Sequence, residues 1–181
     1  MKKQMIICFV VLCMICIGGC TSKNQETENY ITNEIISYDT YEDLSKYKEY
    51  YLSEGSEVVH LVKLLPIEYY IESVYTSRSG GTYDIKVYYI IDDQGDSLWT
   101  DETLEKKILF NATMLFTIIN NVDEIAFNIT GEKKADYVLT REDVEALYPF
   151  KLQEFLDDKD VWINKLIEPI IEGAYVIPEE K

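Results

Sequence analysis

The spacing of apolar residues changes several times along the chain, and each change predicts a structural element. From residue 83 to residue 91 every second position is apolar, which is typical of a β-strand with one face on a core and one in water. Residues 67–71 alternate in the same way, with Ile67, Tyr69 and Ile71 on one face. Because a Ser-Gly-Gly turn lies between these two runs, we expect them to form a β-hairpin.

Other apolar residues recur at helical spacing. Residues 58–65 predict a short helix that Pro66 ends. Thr100 has two acids behind it and predicts the start of a longer helix, because its hydroxyl can cap the first turn and the acids suit the positive end. The second half of this helix is apolar on more than one side, so we expect it to be the most buried element.

Two further helical regions are predicted near the end of the chain. Thr140 begins the first of them, since three acidic or basic residues follow it in a capping-box pattern. The second covers residues 152–171, and we expect interruptions near residues 157–158 and at Pro169, where the backbone N–H is missing.

Two more strands complete the pattern. Residues 122–129 predict a third strand, and residues 137–139 predict a shorter fourth one. The order is therefore helix, strand, strand, helix, strand, short strand, helix, helix. We expect an α+β two-layer sandwich, in which a mainly antiparallel sheet of three to four strands has helices packed on one face.

The first 19 residues have the layout of a secretory signal. Lys2 and Lys3 are followed by an uninterrupted apolar run, residues 5–17, and then by two glycines before Cys20. The apolar run is shorter than the about 20 residues that a membrane-spanning helix needs. This length favours cleavage of the segment over an uncleaved N-terminal anchor helix.

Residues 17–20 resemble the lipobox of bacterial lipoproteins. This resemblance implies that the Cys20 sulfur receives a diacylglyceryl group, whose two acyl chains would anchor the chain stably to a membrane, facing outside. The polar residues that follow have little to bury and predict a flexible tether. We therefore expect three parts: a signal peptide at 1–19, a lipidated cysteine and tether at 20–44, and a single globular extracytoplasmic domain at 45–181.

Cysteine content and charge narrow the function further. Three of the four cysteines lie within the signal, so only Cys20 would remain in the mature chain, without a disulfide or a cysteine metal site. The formal net charge is −16, and loss of the signal removes two lysines and makes it more negative. Such a surface repels nucleic acid and anionic headgroups. We expect a partner that is cationic, neutral or protein, and no membrane contact except through the lipid.

The sequence also bears on catalysis and metal binding. His60 is the single histidine and lies within the first apolar helix, without recognisable partners for a triad or a zinc site. The sequence has no Gly-rich phosphate loop, nucleophile elbow or zinc-protease motif. We therefore assign no catalytic residue, metal ligand or cofactor and expect a protein that is not an enzyme. The densest carboxylate sets are typical of solvated turns: Asp92-Asp93 with Asp96, and Asp157-Asp158 with Asp160.

Fifteen tyrosines are many for a chain of this length. Tyr69, Tyr70, Tyr88 and Tyr89 are candidates for a recognition surface, because tyrosine combines a large apolar area with a polar tip. The alternative is ordinary strand use, since tyrosine suits a half-exposed sheet face.

Several segments together resemble a known family. They are residues 46–51, 56–66, 111–116, 121–125 and 139–148. The stretch from about Tyr47 to Leu166 resembles an uncharacterised domain of unknown function that is found in lipoproteins and in extracytoplasmic tails of membrane proteins from Gram-positive bacteria. The resemblance implies a fold and an extracytoplasmic location, and it implies no catalytic residues.

Three functions are compatible with these observations. We expect a non-enzymatic binding or accessory module at the cell envelope, held by the lipid on Cys20 and contacting an envelope protein, a peptide or another envelope ligand. One alternative is an envelope hydrolase that uses a pair of carboxylates. The other is an immunity or inhibitor lipoprotein for a basic partner, which would use the negative charge directly.

Overall fold

A computed structural model describes residues 38–53, 56–92 and 99–178 of the 181-residue chain. The expected signal peptide, Cys20 and the first part of the expected tether lie outside these ranges. Within them, no helix is both long enough and apolar enough to cross a membrane.

Four strands form one sheet in the order β1-β2-β3-β4. The outer pairs, β1 with β2 and β3 with β4, are antiparallel, whereas the central pair β2 and β3 is parallel. The expected α+β class with a mainly antiparallel sheet is confirmed. The strand bounds are Ile71–Ser79 (β1), Thr82–Ile91 (β2), Val122–Gly131 (β3) and Ala135–Thr140 (β4).

The helices are short except for the one that joins the two central strands. Parallel neighbours need such a crossover connection, which an antiparallel hairpin does not. Short 3₁₀ turns lie at Glu68–Tyr70 and Leu152–Leu156. The α-helices are Tyr38–Ser45 (α1), Ser56–Val62 (α2), Asp101–Ile118 (α3), Arg141–Glu145 (α4), Lys159–Val161 (α5) and Glu168–Ile171 (α6), with a π-helical turn, Trp162–Ile167, between the last two.

The long helix α3 is the most buried element, as its sequence predicts. Thr100 caps it, with the Thr100 Oγ1 accepting from the Thr103 N–H at 3.1 Å. Every residue from Lys107 to Ile118 is buried. The helix therefore supplies the centre of the core, against which one face of the sheet packs.

The first strand begins later than expected. Residues 68–70 form the 3₁₀ turn, because Ile67 adopts the left-handed conformation (φ 66°) and redirects the chain. This conformation is rare for a β-branched residue. Ile67 is buried, and the side-chain amide of Asn111 donates to the Pro66 carbonyl at 2.9 Å. These tertiary contacts hold the turn, so β1 starts at Ile71.

The folded part also begins earlier than expected. Helix α1 lies inside the segment predicted as tether, with Leu44 fully buried. The Tyr41 ring meets the buried Trp162 ring edge-on at 5.4 Å. Residues 38–44, which were expected to belong to the flexible tether, are therefore helical.

The C-terminal helical region matches one expected interruption and not the other. The chain breaks between Leu156 and Lys159, where an Asp158 carboxylate oxygen accepts from the Asp160 N–H at 2.6 Å and caps α5. Pro169 does not interrupt the helix, because it lies in the first turn of α6, where a missing N–H is tolerated.

Arg141 fastens the end of α3 to the start of β3. Its guanidinium donates to three backbone carbonyls, those of Phe116 (2.9 Å), Ile119 (2.5 Å) and Val122 (2.9 Å). The last carbonyls of a helix have no partner within the helix. Arg141 therefore caps α3 from a distant part of the chain and fixes where the next strand begins.

Asn121 performs a similar role for the segment before α2. Its side-chain oxygen accepts from the Leu52 N–H, and its amide donates to the Leu52 carbonyl, both at 2.8 Å. The Tyr50 N–H donates to the Ile118 carbonyl at 2.9 Å, and the Tyr50 carbonyl accepts from Asn120 at the same distance. The turn between α3 and β3 is thus bonded to residues 50–52.

Replacing Arg141 tests whether its hydrogen bonds stabilise the junction between α3 and β3. We expect Arg141→Met to lower the free energy of unfolding by about 3 kcal/mol, because buried carbonyls lose a charged donor. Arg141→Lys should recover less than half of the loss, since an ammonium lacks the planar fork. Urea unfolding measures both. The matched control Arg78→Met, at an exposed arginine, should change stability by less than about 0.5 kcal/mol. Equal losses at the two positions would contradict the assignment.

Candidate functional site

Within the part of the chain that the structure describes, one face of the sheet is not covered by helices. Residues directly opposite each other on neighbouring strands share a face, so the register defines rows across the sheet. The central row of the open face runs Tyr75, Lys86, Ala126 and Val138 across all four strands. A second row runs Ser73, Tyr88, Asn128 and Asp136, and Ile90 lies beyond it on β2, next to Thr130. We call these two rows with Ile90 and Thr130 the open face.

Apolar side chains are exposed on this face. Tyr75 is 61 % exposed, Val138 is 45 % exposed and Ile90 is 38 % exposed. The Tyr75 and Tyr88 rings meet edge-on, with their centroids 5.6 Å apart and their planes at 88°. Such aromatic pairs hold their side chains in place. Apolar side chains therefore lie on all four strands of this face, and we call them the band; the exposed Lys86 lies among them, between Tyr75 and Ala126 in the central row.

Carboxylates border this band at one end. The next row of the same face holds Asp84 on β2 and Glu124 on β3. These two residues line a cavity of about 680 Å³ together with Thr140, Arg141 and residues of α4. We call its carboxylates the acidic groove: Asp84, Asp123, Glu124, Glu142 and Glu145.

The charge of the acidic groove is incompletely balanced by its own arginine. The Arg141 guanidinium is held by the three carbonyls described above and lies 3.4 Å from Glu145. The Thr140 hydroxyl also lines the groove. The Ser77 hydroxyl borders it and donates to the Asp84 carboxylate at 3.4 Å. Five carboxylates outnumber the two nearby cations, which are the Arg141 guanidinium and the exposed Lys86, two residues from Asp84 on the same face of β2, so the local potential is negative.

The four candidate tyrosines do not form one surface. Tyr88 lies on the open face, whereas its neighbour Tyr89 points into the core and is fully buried, because successive strand residues face opposite sides. Its ring stacks on Phe127 with centroids 6.3 Å apart, and burial raises the pKa of the Tyr89 hydroxyl. The place expected for Tyr89 on a surface is thus corrected.

Tyr69 and Tyr70 lie away from the open face, on the 3₁₀ turn before β1. Tyr70 is half-buried and meets the Trp99 ring edge-on at 5.1 Å. Tyr69 is 89 % exposed. Tyr75, which lies next to Tyr88, was missed by sequence reasoning. Its position opposite Lys86 follows once the hairpin register is counted outward from the Ser-Gly-Gly turn.

His60 belongs to a separate surface cluster on α2. Its Nε2 lies 2.9 Å from the Tyr47 hydroxyl, and the Tyr47 ring meets the Tyr50 ring edge-on at 6.2 Å. Burial and a hydrogen bond with Glu57 raise the pKa of Tyr50 to about 12. These contacts join α2 to the segment before it, so they account for His60 as a surface residue that stabilises local packing.

Two members of the acidic sets noticed in the sequence have side-chain partners in the structure. Asp157 pairs with Lys48, and Asp158 caps α5. Asp93 and Asp96 lie outside the described residues. Among residues 38–53, 56–92 and 99–178, no group of three or more histidine, cysteine or acidic side chains is arranged to hold a metal ion.

Taken together, the open face and the acidic groove form one continuous surface with two properties. The band offers apolar area to a partner, and the groove beside it offers carboxylates. Binding surfaces in proteins combine an apolar centre with a charged or polar rim in this way.

One family model matches the chain. Its description is a domain of unknown function, DUF4825, and the match covers residues 44–140, a little over half of the chain. The matched segment contains the whole sheet and α3 and stops just before Arg141 and α4. No curated protein and no solved structure matches the chain.

Proposed function

We propose that this chain, which belongs to the DUF4825 family of domains of unknown function, is a non-enzymatic binding or accessory module at the envelope of a Gram-positive bacterium. A lipid on Cys20 would hold it to the outer face of the cell membrane. The signal-like first 19 residues and the cysteine that follows them support the anchoring. The binding role rests on the open face.

The open face carries this proposal because it combines order with exposure. The opposite face of the same strands is filled by the core, so the sheet stays fixed when a partner binds or leaves. Tyrosine pairs give a large contact area and lose little side-chain entropy on binding. Exposed apolar side chains that lie together mark interaction sites more often than single ones do.

The acidic groove favours one of the alternatives as a special case. An immunity or inhibitor lipoprotein for a basic partner would place cationic groups of that partner beside Asp84 and Glu124. It would still be a binding module, and it would use the same surface. The two functions therefore share one site and differ in what the partner does elsewhere.

Lipid attachment is tested by metabolic labelling. Cells that express the full chain are grown with a tritiated fatty acid, and the chain should carry the label. The Cys20→Ala variant should lose the label, because the acceptor sulfur is gone, and should appear in the medium. Label that persists in this variant would contradict the anchor.

Site-specific photo-crosslinking in cells tests the binding role. A photoreactive phenylalanine placed at Tyr75 or at Val138 of the full chain should give the same covalent adduct, because both positions lie in the central row. The matched control at Tyr69, which is exposed but off the open face, should not give it. A chain that is linked only to itself, or that gives equal adducts at all three positions, would contradict the proposal.

A further inference from the structure

We infer that the partner of the open face is a basic amphipathic helix of another protein, which lays its apolar side on the central row and places lysine or arginine side chains in the acidic groove. This inference rests on the proposed binding role and adds the chemical class of the partner. It follows from the continuity, the size and the charge of the surface.

The apolar band and the acidic groove are close enough for one ligand to contact both. Asp84 and Lys86 are two residues apart on β2 and point to the same side of the sheet. The same holds for their neighbours on β3, Glu124 and Ala126. Two residues along a strand span about 7 Å. A side chain in the groove and another on the band can therefore come from neighbouring turns of one helix.

The dimensions of the surface match one helix. Four strands are about 14 Å wide, and the stretch from Asp84 to Ile90 is about 20 Å long. A helix is about 10–12 Å in diameter, and about 14 residues reach 20 Å. One face of the sheet is already covered by α3 and its neighbours, so a partner helix would add a layer on the other side.

Charge determines which helix fits. The acidic groove holds five carboxylates, while its guanidinium is engaged by three carbonyls and Glu145. Lys86 in the central row adds one positive charge beside Asp84, so the surface as a whole remains negative. Lysine or arginine from a partner would meet Asp84 and Glu124 at the border of the band. A nucleic acid would be repelled, and a second copy of this chain would bring the same carboxylates and the same net charge of −16.

A synthetic peptide probes this chemistry. It has about 14 residues, with leucines on one helical side and lysines on the other. A second peptide has glutamate in place of each lysine. Fluorescence anisotropy with the full chain should show binding of the lysine peptide only. The Asp84→Asn/Glu124→Gln double variant and the Tyr75→Ala variant should each weaken it by about tenfold, which corresponds to the loss of one or two good contacts.

Matched variants separate a specific site from overall charge. Glu168→Gln/Glu172→Gln removes the same charge at α6, which packs on α3 and not on the open face. This variant should weaken binding of the lysine peptide by less than twofold, and the Tyr69→Ala variant should do the same. If the two double variants weaken binding equally, peptide binding depends only on the net charge of the protein and the inference fails.

A charge-reversal variant distinguishes loss of the binding site from misfolding. The Asp84→Lys/Glu124→Lys variant should no longer bind the lysine peptide and should bind the glutamate peptide, because the charge of the groove is reversed. A loss of folding would abolish binding of both peptides and would not produce this gain. Failure to gain it, with an unchanged circular dichroism spectrum, would overturn the inference.

Crosslinking in cells distinguishes this inference from the binding role. The adduct formed at Tyr75 should disappear in the Asp84→Asn/Glu124→Gln background and persist in the Glu168→Gln/Glu172→Gln background. If an adduct forms at the open face and persists in both, the binding role holds and the basic helix is wrong. If no adduct forms there at all, the binding role itself fails.

Discussion

The burial of α3 is the constraint on which the rest of the fold depends. This helix joins two parallel neighbouring strands, and all its residues from Lys107 to Ile118 are enclosed by other parts of the chain. Its C-terminal carbonyls need donors there, and Arg141 supplies them from beyond the sheet. Because the same guanidinium also bonds to Val122, the end of the helix and the start of β3 are set together.

This arrangement decides which face of the sheet is available. The core lies on the side of α3, so the alternating strand residues sort into a filled face and an open one. The open face then carries Tyr75 and Tyr88, and the residues near Arg141 carry the carboxylates of the acidic groove. Stability and the proposed binding role are therefore assigned to opposite sides of the same four strands.

Features that depend on neighbouring residues were predictable from the sequence. Thr100 and Thr140 cap the helices that follow them, because a hydroxyl and the N–H three residues later are close in the chain. The alternation along β2 predicted one buried face, and residues 83, 85, 87, 89 and 91 are buried. Tyr89 was nevertheless expected on a recognition surface with Tyr88, although successive strand residues face opposite sides.

Features that depend on distant residues were not predictable in this way. The left-handed turn at Ile67 is held by Asn111, which lies on α3, and it moved the start of β1. Helix α1 forms because Leu44 and Tyr41 find a core made by the C-terminal helices. The parallel pairing of β2 and β3 and the role of Arg141 likewise follow from tertiary packing. The acidic groove could be found only after these contacts had brought β2, β3 and α4 together.

Chemical labelling of the open face in cells tests the central claim most directly. Val138→Cys and Tyr69→Cys variants of the full chain are treated with a membrane-impermeant maleimide, once in intact cells and once as purified protein, with the parent chain as background. A partner on the open face predicts that Val138→Cys reacts several-fold more slowly in cells than when purified, whereas Tyr69→Cys reacts equally in both. Equal rates for Val138→Cys in the two settings would contradict the account.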